Sequence, residues 1–102
     1  MTYKISFTPA ATADLEQLFD YIADKAGEQI ARGYVTRLYR CCLEFETFPN
    51  RGTAREDLMP GLRIVGFRRR ATIAFLVRQS EVVIIRIFHK GRKIEFVEDA
   101  PS

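Results

Sequence analysis

The sequence predicts an α+β domain of order β-α-α-β-β-β, in which a helical hairpin packs on one face of a small antiparallel sheet. Two consecutive stretches with apolar residues at helical spacing meet at Gly27, which leaves room for only a tight connection between them. Three strand-like segments then crowd the second half, and Gln79-Ser80 alone joins the last two, as in a hairpin. A short alternating stretch precedes the first helix.

Taken in order, "YKISF" places Tyr3, Ile5 and Phe7 on one face of a strand at about residues 3–7. Thr8 can cap a helix and Pro9 suits its first position, where the missing N–H costs nothing. Ala11, Leu15, Leu18, Phe19, Ile22 and Ala26 recur at helical spacing, with Asp14, Glu16, Gln17, Asp20 and Asp24 opposite. Gly27 is expected to end this helix, since a glycine tolerates the left-handed cap. A longer helix is expected from about Glu28 to Phe48, with Ile30, Tyr34, Leu38, Cys41 or Cys42, Phe45 and Phe48 as its apolar stripe. "PNRGTAREDLMPG", Pro49 to Gly61, reads as the one long loop, bracketed by proline and glycine. "LRIVGF", "RATIAFLVR" and "EVVIIRIFH" are the three later strands.

The 102 residues, 47% apolar and 28% charged, describe one globular domain and argue against disorder. The longest apolar runs, Ile73–Val77 and Val82–Ile85, fall far short of a membrane span. "MTYKISF" has no signal-peptide stretch, so a cytoplasmic location is expected. The adjacent Cys41 and Cys42 cannot readily meet disulfide geometry in a helix, and no His or Cys cluster suggests a metal. They are expected to be reduced thiols, and no cofactor is expected. The net charge of +3 is unevenly spread. Residues 1–60 carry 9 acids and 7 bases, whereas residues 61–102 carry 4 acids and 9 bases. Such a field suits an anionic partner, and a solubilising basic face is the plainer account.

The third of the later strands is apolar on both alternating faces. Val83, Ile85, Ile87 and then His89 share one face, while Val82, Ile84 and Phe88 share the other. A two-helix layer covers only one face, so either the sheet curls around a second core or a partner covers it.

The ordered set "DLEQLFDYIADKAGEQIARGYVTRL", "FPNRGTAREDLMPGLR" and "VVIIRIFHKGRK" resembles the ParE branch of the RelE/ParE superfamily of bacterial toxins. The matching positions are Asp20-Tyr21-Ile22, Phe48-Pro49 with Gly52, Pro60-Gly61-Leu62-Arg63, and Phe88-His89-Lys90-Gly91-Arg92. Lys90 as an insertion and the dense Arg68–Arg70 run depart from the branch. The resemblance spans about residues 3–93 and implies a single toxin domain, 1–102, with 94–102 as a tail. It implies a toxin co-produced with a ParD-like antitoxin that wraps it. DNA gyrase is the implied target, inhibited without enzymatic activity. No membrane and no sequence-specific nucleic-acid binding by the toxin alone are implied.

The alternative is a ribosome-dependent messenger ribonuclease of the RelE type, which needs a base, an acid and cations for the charged phosphorane. The strand arginine of that branch falls near Thr72, where this chain has no charge; Arg70 lies two residues earlier, and Arg92 fills the position after the last strand. The late tyrosine is missing, because Tyr3, Tyr21, Tyr34 and Tyr39 all lie in the first half. A catalytic set would therefore be His89, Arg92 and Arg70, with His89 the lone candidate for proton transfer. The favoured reading gives no catalytic residue. It assigns target contact to His89, Lys90, Arg92 and Lys93, although a histidine ending such a strand is more often a structural hydrogen-bonding group. The antitoxin is expected on Leu18, Tyr21, Ile22, Arg63, Arg68, Arg69, Arg70, Phe75, Ile84 and Phe88. For the arginines the plainer role is to solvate a strand edge, and for Tyr21 it is core packing.

Overall fold

A computed structural model describes residues 2–68 and 70–89. Arg69, Lys90, Arg92, Lys93 and the tail 94–102 lie outside the described residues. The elements are β1 (Lys4–Phe7), α1 (Pro9–Ala26), α2 (Glu28–Leu43), a 3-10 turn (Glu44–Glu46), β2 (Thr53–Ala54), β3 (Leu62–Phe67), β4 (Ala71–Val77) and β5 (Glu81–His89). The two helices lie against a five-stranded sheet of order β1-β5-β4-β3-β2. The α+β class and the helical hairpin are as the sequence predicts.

The sheet is mixed rather than wholly antiparallel. β1 runs parallel to β5, with Lys4 opposite Glu81 and Phe7 opposite Ile84. A parallel partner some 80 positions away leaves no local mark in the pattern of either strand. The long loop is also shorter than expected, because Thr53 and Ala54 pair with Ile64 and Arg63. Gly52 makes that approach possible: a Cβ there would lie 2.0 Å from the Ile64 carbonyl oxygen.

Thr8 caps α1 by accepting the Ala11 N–H at 3.0 Å. The same residue stitches the helix to the sheet, donating its hydroxyl to the Ile85 carbonyl at 2.9 Å and its backbone N–H to that of Ile84 at 3.0 Å. Where β1 ends, α1 thus takes over the edge of β5. Asp14 completes the seam, accepting the Ile87 N–H at 2.9 Å and a two-pronged bond from the Arg86 guanidinium at 2.8 and 3.1 Å. Asp14 is therefore an anchor and does not belong to the solvated face that its spacing suggests.

The main core lies between the hairpin and the sheet. Leu38, Cys42, Phe45, Ile73, Phe75, Val82 and Ile84 are fully buried there, and the Phe45 and Phe75 rings stack at 4.3 Å. The expected stripe of the second helix holds only in its middle. The helix proper stops at Leu43, so Phe48 swings out to 64% exposure, and Ile30 on the first turn is also exposed.

A bulge in β5 re-aims its last residues. Phe75 pairs with Ile84 but Ala74 pairs with Arg86, which leaves Ile85 unopposed. Alternation restarts after this extra residue. Ile87 joins Val82 and Ile84 in the helix-side core, and Phe88 packs on the opposite face with Leu62 and Ala74. The simple alternation of the sequence thus gives the wrong face for this end of the strand: His89 follows Ile87 to the helix side. The second face has a core of its own, in which Met59 of the preceding loop and Ile64, Leu76 and Ile85 pack against Leu62, Ala74 and Phe88.

Candidate functional site

The helix-side end of β5 opens into a cleft lined by Leu18, Tyr21, Ile22, Tyr34, Arg70 and His89. Leu18, Tyr21 and Ile22 come from one stripe of α1, three and four residues apart. The turn at Gly27 folds α2 back so that Tyr34 faces them. Arg70 closes the β3–β4 turn, donating its backbone N–H to the Phe67 carbonyl at 3.0 Å. Ala71 pairs with His89, so Arg70 and His89 lie at the same end of the sheet.

The cleft measures about 90 Å³. The His89 ring stacks on Tyr21 with centroids 5.2 Å apart, and the Lys25 ammonium lies over the Tyr21 ring at 5.6 Å. Tyr34 meets Phe67 edge to face at 5.4 Å. Its hydroxyl is buried and has no hydrogen-bond partner among the described residues. Burial pushes the Tyr34 phenol above its ordinary pKa of 10.0, and the charges of Arg70 and Arg68 pull it part of the way back. No acidic side chain of the described residues lines the cleft. Among the described residues no His, Cys, Asp and Glu cluster could hold a metal ion, and no helix is long and apolar enough to cross a membrane.

Of the residues singled out from the sequence, Leu18, Tyr21, Ile22, Arg70 and His89 converge here. Others do not. Arg63 clamps the preceding loop, its guanidinium donating to the carbonyls of Arg51, Asn50 and Gly52 at 2.9, 3.3 and 3.3 Å. Phe75 and Ile84 are fully buried in the main core, and Phe88 is 6% exposed in the second one, so packing accounts for all three. Arg68 adopts a left-handed backbone (φ 51°) and lays its guanidinium over the Phe67 ring at 5.5 Å. Sequence reasoning placed Tyr34 in a packing stripe and missed its part in the cleft. The available signal was its hydroxyl, a polar tip on an otherwise apolar helix face.

Cys42 is fully buried, and burial, with Cys41 beside it, pushes its pKa up to about 12. The Cys41 thiol is raised as well, by burial and by Glu44, against a smaller opposing pull from Arg51. Neither thiol is activated.

Comparison with known proteins agrees with this fold. The profile of the ParE toxin of the type II toxin-antitoxin system, parDE, matches residues 5–94. Toxin ParE3 of Caulobacter vibrioides is 28% identical over 84 residues, which cover 82% of this chain and 83% of that protein. Toxin ParE1 of Mycobacterium tuberculosis is 22% identical over 95 residues, covering 93% and 97%. Among solved structures, the chromosomal ParDE TA system from P. aeruginosa superposes with a TM-score of 0.75 at 25% identity, over 86% of this chain and 96% of that one. A conserved hypothetical protein from Helicobacter pylori superposes with a TM-score of 0.55 at 12% identity, over 90% and 98%, a likeness of fold alone. With the profile covering nearly the whole chain and the fold in agreement, the protein belongs to the ParE toxin family of type II toxin-antitoxin systems.

Proposed function

We propose that this ParE-type toxin inhibits DNA gyrase by binding, without enzymatic activity, and that a cognate antitoxin neutralises it. One observation carries the non-enzymatic reading. His89, the lone histidine, stacks on Tyr21 in a cleft of about 90 Å³, far below the ~300–1,000 Å³ of pockets that enclose small molecules. The ring is thus packed against a neighbour rather than presented to a preformed nucleotide pocket. Position 72, where a cleaving relative would carry an arginine, is a threonine on a strand lined by apolar neighbours.

In this reading the antitoxin runs over the α1 stripe at Leu18, Tyr21 and Ile22 and over the basic turn of Arg68, Arg69 and Arg70. His89 with Lys90, Arg92 and Lys93 grips the target. Incubating the protein with gyrase, ATP and relaxed plasmid tests it. Lost supercoiling or trapped linear DNA, abolished on trimming residues 90–102 and reversed by the antitoxin, is the expected result. Unimpaired supercoiling by a growth-arresting preparation would sink the gyrase assignment.

A second reading, the ribosome-dependent ribonuclease, draws on one specific observation: Tyr34 and Tyr21 line the same cleft as His89 and Arg70. They would supply the second proton-transfer group that sequence order does not offer. That reading expects His89→Ala and Tyr34→Phe each to abolish translation arrest.

A further inference from the structure

We propose that the cleft between α1, α2 and the end of β5 receives one carboxylate from an acidic side chain of a bound peptide, held by the Tyr34 hydroxyl, the Arg70 guanidinium and the His89 imidazole. The peptide is the antitoxin, and in that respect alone the proposal rests on the function proposed above.

The Tyr34 hydroxyl is the starting point. It is buried and has no partner among the described residues, a costly state that native proteins rarely leave uncorrected. Burial raises its pKa, so the group keeps its proton and is a donor in search of an acceptor. Arg70 lines the same cleft, and a guanidinium offers forked donors that match a carboxylate's two oxygens. His89 has one ring face against Tyr21, which leaves its nitrogens at the ring edge. No acid lines the cleft among the described residues, so no charge there already answers Arg70.

Size and walls decide which anion. At about 90 Å³ the cleft admits only a small group, on the scale of a carboxylate with a methylene or two. Leu18 and Ile22 give an apolar wall for such a stem. A phosphodiester would bring a polar sugar on each side, which the apolar wall of Leu18 and Ile22 does not match. A glutamate side chain fits these limits.

The sole histidine makes the test direct, because His89 gives the only imidazole signals of the full-length chain. The isotope-labelled protein is titrated by NMR with N-acetyl-glutamate amide, with the neutral N-acetyl-glutamine amide, and with inorganic phosphate, at constant pH and ionic strength. The glutamate probe is expected to shift the His89 and Tyr34 ring signals saturably, at least ~10-fold more tightly than the glutamine probe. Tyr34→Phe and Arg70→Gln, each with an otherwise native spectrum, should weaken it by a similar ~10-fold. Equal response to both amides, no saturable shift, or an unaffected Tyr34→Phe would overturn the proposal and leave water as the hydroxyl's partner. Tighter binding of phosphate, lost in Tyr34→Phe, would overturn it in favour of a nucleic-acid site. An antitoxin that binds without displacing the glutamate probe would overturn the antitoxin as the source. Because the supercoiling assay runs without any of these probes, failure here and failure of the gyrase reading are told apart.

Discussion

Gly52 sits at φ +72°, and a Cβ added to it would fall 2.0 Å from the oxygen and 2.8 Å from the carbon of the Ile64 carbonyl. The obstacle is backbone, so it cannot rotate away. Gly52→Ala is expected to lose about 2–4 kcal/mol in urea unfolding, from the left-handed conformation together with the displacement of β2 from β3. A loss under ~0.5 kcal/mol would mean that the loop re-forms without its strand pairing. Arg63 acts on the same loop from the other side, through three carbonyls. Truncating it to alanine should cost about 1–2 kcal/mol, modest because the site is partly solvated. Both residues belong to stretches that stand out in the sequence, yet neither role could be read there. A motif shows that a glycine or an arginine is present, but not which carbonyls will face it. The same limit hid the part Tyr34 plays in the cleft, since its partners arrive from a turn and a strand more than thirty positions away.

At the scale of elements, caps and turns were the most legible features, because their chemistry is local. Thr8, Pro9 and the Gln79-Ser80 connection act as their residue types predict, and Gly27 ends α1 as expected, although at φ 103° and ψ 153° rather than in the left-handed cap conformation. The bulge in β5 is the opposite case: nothing in "VVIIRIFH" distinguishes the unopposed Ile85 from its neighbours, because the bulge exists only relative to β4. The seam between α1 and β5 depends on Asp14, whose carboxylate is almost buried and satisfies both the Ile87 amide and Arg86. Asp14→Ala is expected to cost about 3 kcal/mol and to speed exchange of the Ile87 amide, whereas Asp14→Asn should cost about half of that. On α2 the buried thiol gives a pH dependence of definite sign. Cys42 ionises near 9.0 when unfolded but near 12 when folded, so between these values the unfolded chain binds fewer protons. Stability is therefore intact below pH ~9 and declines above it, by up to about 1.4 kcal/mol per pH unit from this group. Cys41 and Tyr34, both also raised, act in the same direction. Urea midpoints followed from pH 8 to 10.5 should fall less steeply in Cys42→Ala than in the parent; equal slopes would remove Cys42 as the source.

Across the whole molecule, the strand that looked over-supplied with apolar residues proves to be the one around which the fold closes. β5 has β4 on one side, β1 and then α1 on the other, the hairpin core above and a second small core below. The doubly apolar pattern reported this position correctly, although it could not say whether a partner or the chain itself supplies the second cover. The uneven charge of the sequence also acquires a location, since Arg68 and Arg70 lie at the same end of the sheet as His89. What no local pattern reported is that the first strand pairs with the last, and this pairing has a sharp consequence. Among the described residues, Lys4–Phe7 pair along the edge of β5 from Glu81 to Ile84, while Thr8 and Asp14 hold the stretch from the Ile84 carbonyl onward. Removing residues 1–7 would bare an edge that is apolar on both faces, the kind that recruits another chain. It would also take Ile5 and Phe7 from the margin of the core. The truncated protein is expected to self-associate on size-exclusion chromatography, with loss of amide protection first at Val82–Ile84. A monomeric product with native protection there would mean that the helices alone seal β5, and that β1 is an accessory to the sheet.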